Sequence, residues 1–326
     1  MGLTPPPLGK VVVTGAGGFI GRSLVARLQR IGVPHVGAVR ALDDNAALNS
    51  TLVALGDFAA ADWDGVLAGA DAVVHLAGRA HVPRSGSSDA VTPYVVDNVH
   101  VTRRLAEAAA RANVRRIVFA SSVRVYGEST QPGRPFGPDD IAAPKDPYAR
   151  SKAEAESVLR AICGESGIEA VILRLPLVYG PGVRGNFLAL LEAVAAERRL
   201  PLAGVDNRRS LLYQGNAVSA IEAALRVPAL AGSTLPVADA EVVSTSDLVE
   251  RLARALRVRV RSFRIPATAL RGVSSLVGRR ADVQRLLGSL EVDSAPFRQL
   301  ARWSPPYSLD EGLAAAAAWW RMRGAL

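Results

Sequence analysis

Short apolar runs recur along the first half of the chain with almost no polar alternation inside them. They are Val11-Val12-Val13, Val36-Gly37-Ala38-Val39, Ala72-Val73-Val74, Ile117-Val118-Phe119-Ala120 and Ala170-Val171-Ile172-Leu173. A strand with one face in water alternates, whereas a strand covered on both faces is continuously apolar, as in a parallel sheet. Segments of helical spacing lie between these runs. Ser23–Leu28 is one, a long helix opening at Tyr94 and reaching Ala112 is another, and a third opens at Tyr148 after the Gly/Pro-rich loop Gly133–Pro147. This alternation predicts an α/β fold, a doubly wound parallel sheet of Rossmann type over residues 8–176. Beyond Leu177 the pattern is less regular. It predicts a helix from Asn186 to Arg199, a strand or turn at Pro201–Gly204, a strand at Arg209–Tyr213, an amphipathic helix at Asp247–Leu256 and a last helix in which Trp319 and Trp320 pack. These make a smaller C-terminal substrate-binding domain, 177–326, from which about 205–230 returns to the first domain. Met1–Lys10, with Pro5-Pro6-Pro7, reads as a short flexible arm.

The first apolar run and the first helix are joined by Gly15, Gly18 and Gly21. A tight strand-to-helix turn needs a residue free to take positive φ, which suits Gly15. A pyrophosphate reaches the backbone only where no Cβ intervenes, which suits Gly18. Gly21 lets the helix lie close to the sheet, and the helix N-terminus offers N–H groups to phosphates. Gly15, Gly18, Phe19, Ile20 and Gly21 are therefore expected to hold a dinucleotide. The second run ends at Arg40, where this fold faces the adenosine ribose. A carboxylate there favours NAD, whereas a guanidinium matches a 2′-phosphate and favours NADP. Both cofactors stay open, with Arg40 pointing to NADPH.

Tyr148 and Lys152 stand four apart and share one helix face. A phenol near pKa 10 is a poor acid–base group at neutral pH. A nearby ammonium and an oxidised nicotinamide would stabilise its phenolate. Ser121-Ser122 follow the fourth run, at the strand end where open α/β sheets bind ligands. Ser122, Tyr148 and Lys152 are the candidate catalytic residues.

The charge of +9 and a basic total of 39 residues raise the question of nucleic acid. Only Lys10, Lys145 and Lys152 are lysines, and the arginines are scattered with no long basic block, so no nucleic-acid partner is expected. The excess positive charge also suits an anionic nucleotide substrate. One cysteine, Cys163, excludes an internal disulfide. No apolar run reaches transmembrane length, so a cytoplasmic enzyme without an integral membrane segment is expected. No metal site is expected.

Several motifs together carry a resemblance. They are Thr14-Gly-Ala-Gly-Gly-Phe-Ile-Gly21, Ser121-Ser-Val-Arg-Val-Tyr-Gly127, Tyr148-x-x-x-Lys152, Val178-Tyr-Gly-Pro-Gly182 and the closing Trp303-Ser-Pro-Pro-Tyr-Ser-Leu309. The chain resembles the extended short-chain dehydrogenase/reductases, the NAD-dependent epimerase/dehydratase family, over nearly its whole length. The resemblance implies Ser122, Tyr148 and Lys152 as the triad. It implies cofactor contacts at Asp57 with adenine and at Leu76, Ala77 and Gly78, and a helix-bending Asn98. It implies a UDP-sugar held by Asn186 and Arg209 on the diphosphate and by the backbone of Leu202 and Ala203 on uracil. Arg124 either meets substrate or pairs on the surface, and His75 is a core residue. A homodimer is also implied.

The departures narrow the activity. Dehydratases of the family carry Asp and Glu where Val123 and Arg124 stand, so dehydration is not expected. Leu177 replaces the Asn usual in the epimerases. Residues between motifs resemble bacterial UDP-4-keto-6-deoxy-N-acetylhexosamine 4-reductases. The expected activity is therefore NAD(P)H-dependent reduction of a C4 ketone. A 4-epimerase with tightly bound NAD and a non-catalytic nucleotide sensor are the alternatives.

Overall fold

The computed structural model describes residues 8–42, 51–80, 92–264 and 287–323. Residues 1–7 of the expected arm lie outside them. Leu8 does not belong to an arm, because its side chain packs in the core. Lys10 opens the first strand and its Nζ donates to the carbonyls of Val66 and Ala68.

The strands of the main sheet are β1 (Lys10–Thr14), β2 (His35–Val39), β3 (Leu52–Ala54), β4 (Ala70–His75), β5 (Arg116–Ser122), β6 (Glu169–Leu175) and β9 (Thr234–Pro236). Their order is β3-β2-β1-β4-β5-β6-β9, and every neighbouring pair is parallel. Helices cover both faces. On one, α1 (Phe19–Arg30) contributes Leu24, Val25 and Leu28, and α7 (Gln214–Arg226) contributes Ala217, Ile221 and Leu225 to one apolar cluster. On the other, α2 (Trp63–Leu67), α4 (Val101–Arg111) and α5 (Pro147–Ser166) bury Trp63, Leu105 and Leu159 against Val12, Val73 and Ile117. Alternate residues of β1 thus enter opposite clusters, which is why Val11-Val12-Val13 has no polar member. The doubly wound α/β fold read from the pattern is the observed one.

After Leu177 the chain builds a second, three-stranded sheet. It joins β7 (Leu177–Tyr179) to β8 (Arg209–Tyr213) in parallel and β8 to β10 (Val242–Val243) antiparallel. A separate cluster forms there from Tyr179, Phe187, Leu191, Leu252 and Leu313, on β7, α6 (Gly185–Ala195), α8 (Thr245–Leu256) and the C-terminal helix Leu309–Arg323. Trp319 and Trp320 pack against it.

Two elements differ from the reading of the sequence. The helix expected to run to Arg199 ends at Ala195, and Glu197 takes a left-handed φ of 48° that breaks it. The helix opening at Tyr94 is not regular either. Thr92–Tyr94 (α3) and α4 are joined by a π-wound stretch, Val95–His100. Within it Asn98 turns inward, its Nδ2 donating to Ser151 Oγ at 2.8 Å and its Oδ1 accepting from the Arg79 amide at 2.7 Å; single π turns of this kind are frequent at functional sites.

Candidate active site

Ser122 is the last residue of β5, and Val123–Val125 form a 3₁₀ turn beyond it. Asp146 caps α5, its Oδ1 accepting from the Ala149 amide at 3.0 Å, and Pro147 occupies the first turn. That cap sets Tyr148 at the helix start beside the end of β5. Ser122 Oγ accepts from the Arg124 amide at 3.3 Å, on the side of the turn that faces the start of α5. The Arg124 guanidinium stands 5.3 Å from the Tyr148 ring centroid and is ion-paired with Asp146. The Tyr94 ring lies 6.1 Å away on another side. Burial pushes the phenol above its ordinary range, and the neighbouring Ser122 and the Arg124 charge pull it back.

Lys152 follows one turn later. It is buried, with Nζ 3.9 Å from the centroid of the Phe119 ring. Burial depresses its ammonium to about 7, against the opposing pull of Glu156. Burial outweighs the help the Tyr148 phenol draws from nearby positive charge. Desolvation dominates at both groups, raising one and lowering the other, and the cation at the Tyr148 ring is Arg124.

Behind this face lies a buried ionic knot. Glu156 accepts from Arg174 Nη2 at 2.6 Å and Nε at 3.0 Å and from Ser121 Oγ at 2.5 Å. The Arg174 guanidinium also covers the Tyr126 ring at 4.4 Å. His75 is a core residue, as expected. It lies 2.7 Å from Thr14 Oγ1 and 2.9 Å from Thr102 Oγ1. Thr102 donates onward to the Asn98 carbonyl and Thr14 accepts from the Ala77 amide, so the chain of bonds assigns the proton to Nε2. Burial holds the imidazole down to about 3, hence neutral.

The glycine turn forms a cradle open at the carboxyl end of β1. Gly15 has φ +67°. A Cβ on Gly21 would stand 2.1 Å from the Gly15 carbonyl oxygen and 2.8 Å from Ala16 Cα, so only glycine permits this approach. Gly18 caps α1, no side chain caps that end, and its first turn has no acidic residue. Gly17 and Gly18 are exposed; the Gly18 amide donates to the Gly15 carbonyl at 2.9 Å, and the first-turn N–H groups of α1 beyond it are the ones that can face an anion. Ile20 faces the sheet cluster, and Phe19 packs towards the C-terminal cluster. Leu76, Ala77 and Gly78 leave β4 directly opposite, and a Cβ on Gly15 would meet the Ala77 amide nitrogen at 2.8 Å. These features fit a bound dinucleotide.

Three of the expected cofactor contacts are engaged within the protein. The Asn98 side chain is committed to Ser151 and Arg79, so it shapes the site through the π-wound turn. Asp57 is exposed and accepts from the Ala59 amide. Arg40, just past β2, is paired through Nη2 with Asp97 Oδ1 at 2.9 Å, while Arg79 Nε holds Asp97 Oδ2 at 2.5 Å. One carboxylate between two guanidiniums leaves the trio with a net positive charge.

The expected substrate contacts lie on later elements. Asn186 is exposed in the first turn of α6. Leu202 has a buried side chain, its carbonyl accepts from the Val205 amide at 3.2 Å, and the Ala203 amide donates to the Phe263 carbonyl at 3.2 Å, which leaves the Leu202 amide and the Ala203 carbonyl for contact. Arg209 opens β8, its Nη1 donating to the Gly288 carbonyl at 3.2 Å. Arg124 is resolved as the partner of Asp146 and the neighbour of Tyr148.

The model of the NAD dependent epimerase/dehydratase family matches residues 11–235. The chain belongs to that family. A UDP-glucose 4-epimerase of Vibrio cholerae is 36% identical over 306 residues, covering 93% of this chain and 92% of the relative. A dTDP-glucose 4,6-dehydratase of Streptomyces griseus is 32% identical, with 95% of this chain and 93% of the relative covered. Among solved structures, MoeE5 in complex with UDP-glucuronic acid and NAD superposes with a TM-score of 0.79 at 27% identity, over 97% of this chain and 100% of that one. NAD is the cofactor of the family, and the cradle around Gly15 and Gly21 is where this chain would hold it. No described helix is long and apolar enough to cross a membrane.

Sequence reasoning passed over Asp97, Asp146, Glu156 and Arg174. Asp146 carried a legible signal, an Asp before Pro147 at a helix start. Glu156 carried half of one, standing four residues beyond Lys152. Nothing in the sequence marks Asp97 or Arg174 as partners of these groups.

Proposed function

We propose that the protein is an NAD-dependent 4-epimerase of a UDP-hexose or UDP-N-acetylhexosamine. The observation that carries this reading over ketoreduction is the near full-length likeness to a UDP-glucose 4-epimerase. Dehydration has no support at the end of β5, where Val123 is apolar and Arg124 is cationic.

Bound NAD supplies the two-electron oxidation and re-reduction of the sugar C4. Tyr148 exchanges a proton with the C4 oxygen through its phenol, and Ser122, at the end of β5, holds the same oxygen. Lys152, with its ammonium at about 7, offers donors towards the nicotinamide ribose while partly charged at neutral pH. Asn186 and Arg209 hold the diphosphate, and the backbone at Leu202 and Ala203 holds uracil. The elements after Leu177 thus act as the substrate-binding part, with the cleft at the carboxyl ends of β1, β4 and β5.

The test is purification followed by assay with no added cofactor. The expected result is stoichiometric bound NAD and interconversion of UDP-glucose with UDP-galactose, or of their N-acetyl counterparts, abolished in Tyr148→Phe. Turnover only of a UDP-4-keto-6-deoxy-N-acetylhexosamine, and only with added NADPH, would restore the reductase reading. No turnover at all, with Tyr148→Phe binding nucleotide normally, would favour a sensor.

A further inference from the structure

We propose that Arg124, held by Asp146, is a positioning residue for Tyr148 that gives the phenol a permanent positive neighbour, with Asp146 as the opposing counter-charge. The pair spans the gap between the two elements that carry the reacting hydroxyls. Arg124 lies in the turn directly after Ser122, and Asp146 is the cap residue of the helix that begins with Pro147 and Tyr148. One carboxylate serves both ends. Its Oδ1 accepts from the Ala149 amide, and its Oδ2 takes the Arg124 guanidinium. The turn after β5 is thereby tied to the first turn of α5.

The guanidinium also sits 5.3 Å from the centre of the Tyr148 ring, with the Arg124 side chain only 24% exposed. At that distance an opposite charge favours the phenolate. The groups acting on the phenol are Arg124 from the turn, Ser122 from β5, Asp146 from the helix cap and Tyr94 from α3. Arg124 is the cation among them, and Asp146 works against it. Lys152 is further along the helix and is close to losing its proton at neutral pH. A guanidinium does not deprotonate in proteins. Arg124 therefore keeps its charge beside Tyr148 at alkaline pH, where the phenol titrates and where Lys152 is neutral.

A structural strap and an electrostatic one predict different signs. Both Arg124→Met and Asp146→Asn break the ion pair. Arg124→Met removes the cation and should raise the Tyr148 phenol pKa by about one unit, a tenfold loss of phenolate. Asp146→Asn removes the anion, keeps a good helix cap and should lower it. Arg124→Lys should restore most of the wild-type value.

The experiment is a near-ultraviolet absorbance titration of the phenolate in the full-length protein. The same titration of Tyr148→Phe assigns the transition, and circular dichroism confirms folding. The proposal rests on Tyr148 being the acid–base group. The absorbance reads the phenol directly, so a failed epimerase assay and a failed titration are separate results. Opposite shifts in the two variants, with rescue by Lys, are expected. Shifts of the same sign, or an unmoved transition in Arg124→Met, would overturn it. If Arg124→Met does not fold, Asp146→Asn against Arg124→Lys decides: a transition that does not fall in Asp146→Asn rejects the proposal.

Discussion

Glu156→Gln is the substitution whose cost follows most directly from the structure. The Glu156 side chain is 1% exposed and that of Arg174 is 7% exposed. The two are joined by a two-pronged bond of 2.6 and 3.0 Å. Arg160 also reaches Glu156, at 3.3 Å, but is 45% exposed and adds little. Gln keeps the volume and can still accept from Ser121, but it leaves the Arg174 charge buried without compensation. Removing one partner of a buried pair costs about 3–5 kcal/mol, and retained hydrogen bonding puts this case near 3. Unfolding entropy of about 2.1 cal/mol/K per residue gives roughly 0.7 kcal/mol/K for this chain, so the melting temperature should fall by about 4 °C. Removing both charges in Glu156→Gln/Arg174→Met should recover much of the loss, because the residual cost came from the orphaned guanidinium. Thermal melts of wild type, both single variants and the double variant form the cycle. A Glu156→Gln protein melting within 1 °C of wild type, or a double variant losing the sum of the two singles, would refute the reasoning. Glu156 also supports the Lys152 ammonium. The variant should therefore lose activity at pH 7 and regain part of it at lower pH.

Three further outcomes are expected. Gly21→Ala should abolish NAD binding in a calorimetric titration, since its Cβ would stand 2.1 Å from a backbone carbonyl oxygen that cannot move without opening the cradle. Lys152 titrates at about 7 in the fold and at 10.5 when unfolded, so the unfolded state binds the extra proton between these values and stability rises with pH across that window; urea midpoints should show this slope, and Lys152→Met should flatten it. Arg40 is 53% exposed and NAD carries no 2′-phosphate, so Arg40→Ala should leave NAD affinity within about threefold, whereas a strong wild-type preference for NADP lost in the variant would show that Arg40 reads a 2′-phosphate.

Both the fold and the candidate site were legible where the relevant forces act along the chain. Short uninterrupted apolar runs, rich in Val and Ile, read as doubly covered strands, which placed β1, β4, β5 and β6 and with them the parallel sheet. The spacing of Gly15, Gly18 and Gly21 foretold a turn that no residue with a Cβ at position 21 could make. Four-residue spacing set Tyr148 and Lys152 on one face of α5 because the helix imposes that geometry wherever it is formed. The cap at Asp146 belongs to the same class, a local bond over three residues.

Tertiary structure alone decided which charges meet. Arg40 stands just past the end of β2, and both it and Arg79 meet Asp97, which lies in the π-wound stretch. Arg124 had two readings in the sequence, and only the packing of the turn after β5 against the start of α5 settled that it pairs with Asp146 over Tyr148. Glu156 and Arg174 meet because the register of β6 beside β5 and the seating of α5 on the sheet put them together. Even the direction of the Tyr148 and Lys152 shifts depended on burial rather than on their spacing. Backbone conformation is governed by neighbours a few residues away, so it can be read in sequence. Ionisation and ion pairing depend on which groups are withdrawn from water together, and that is known only once distant segments have packed.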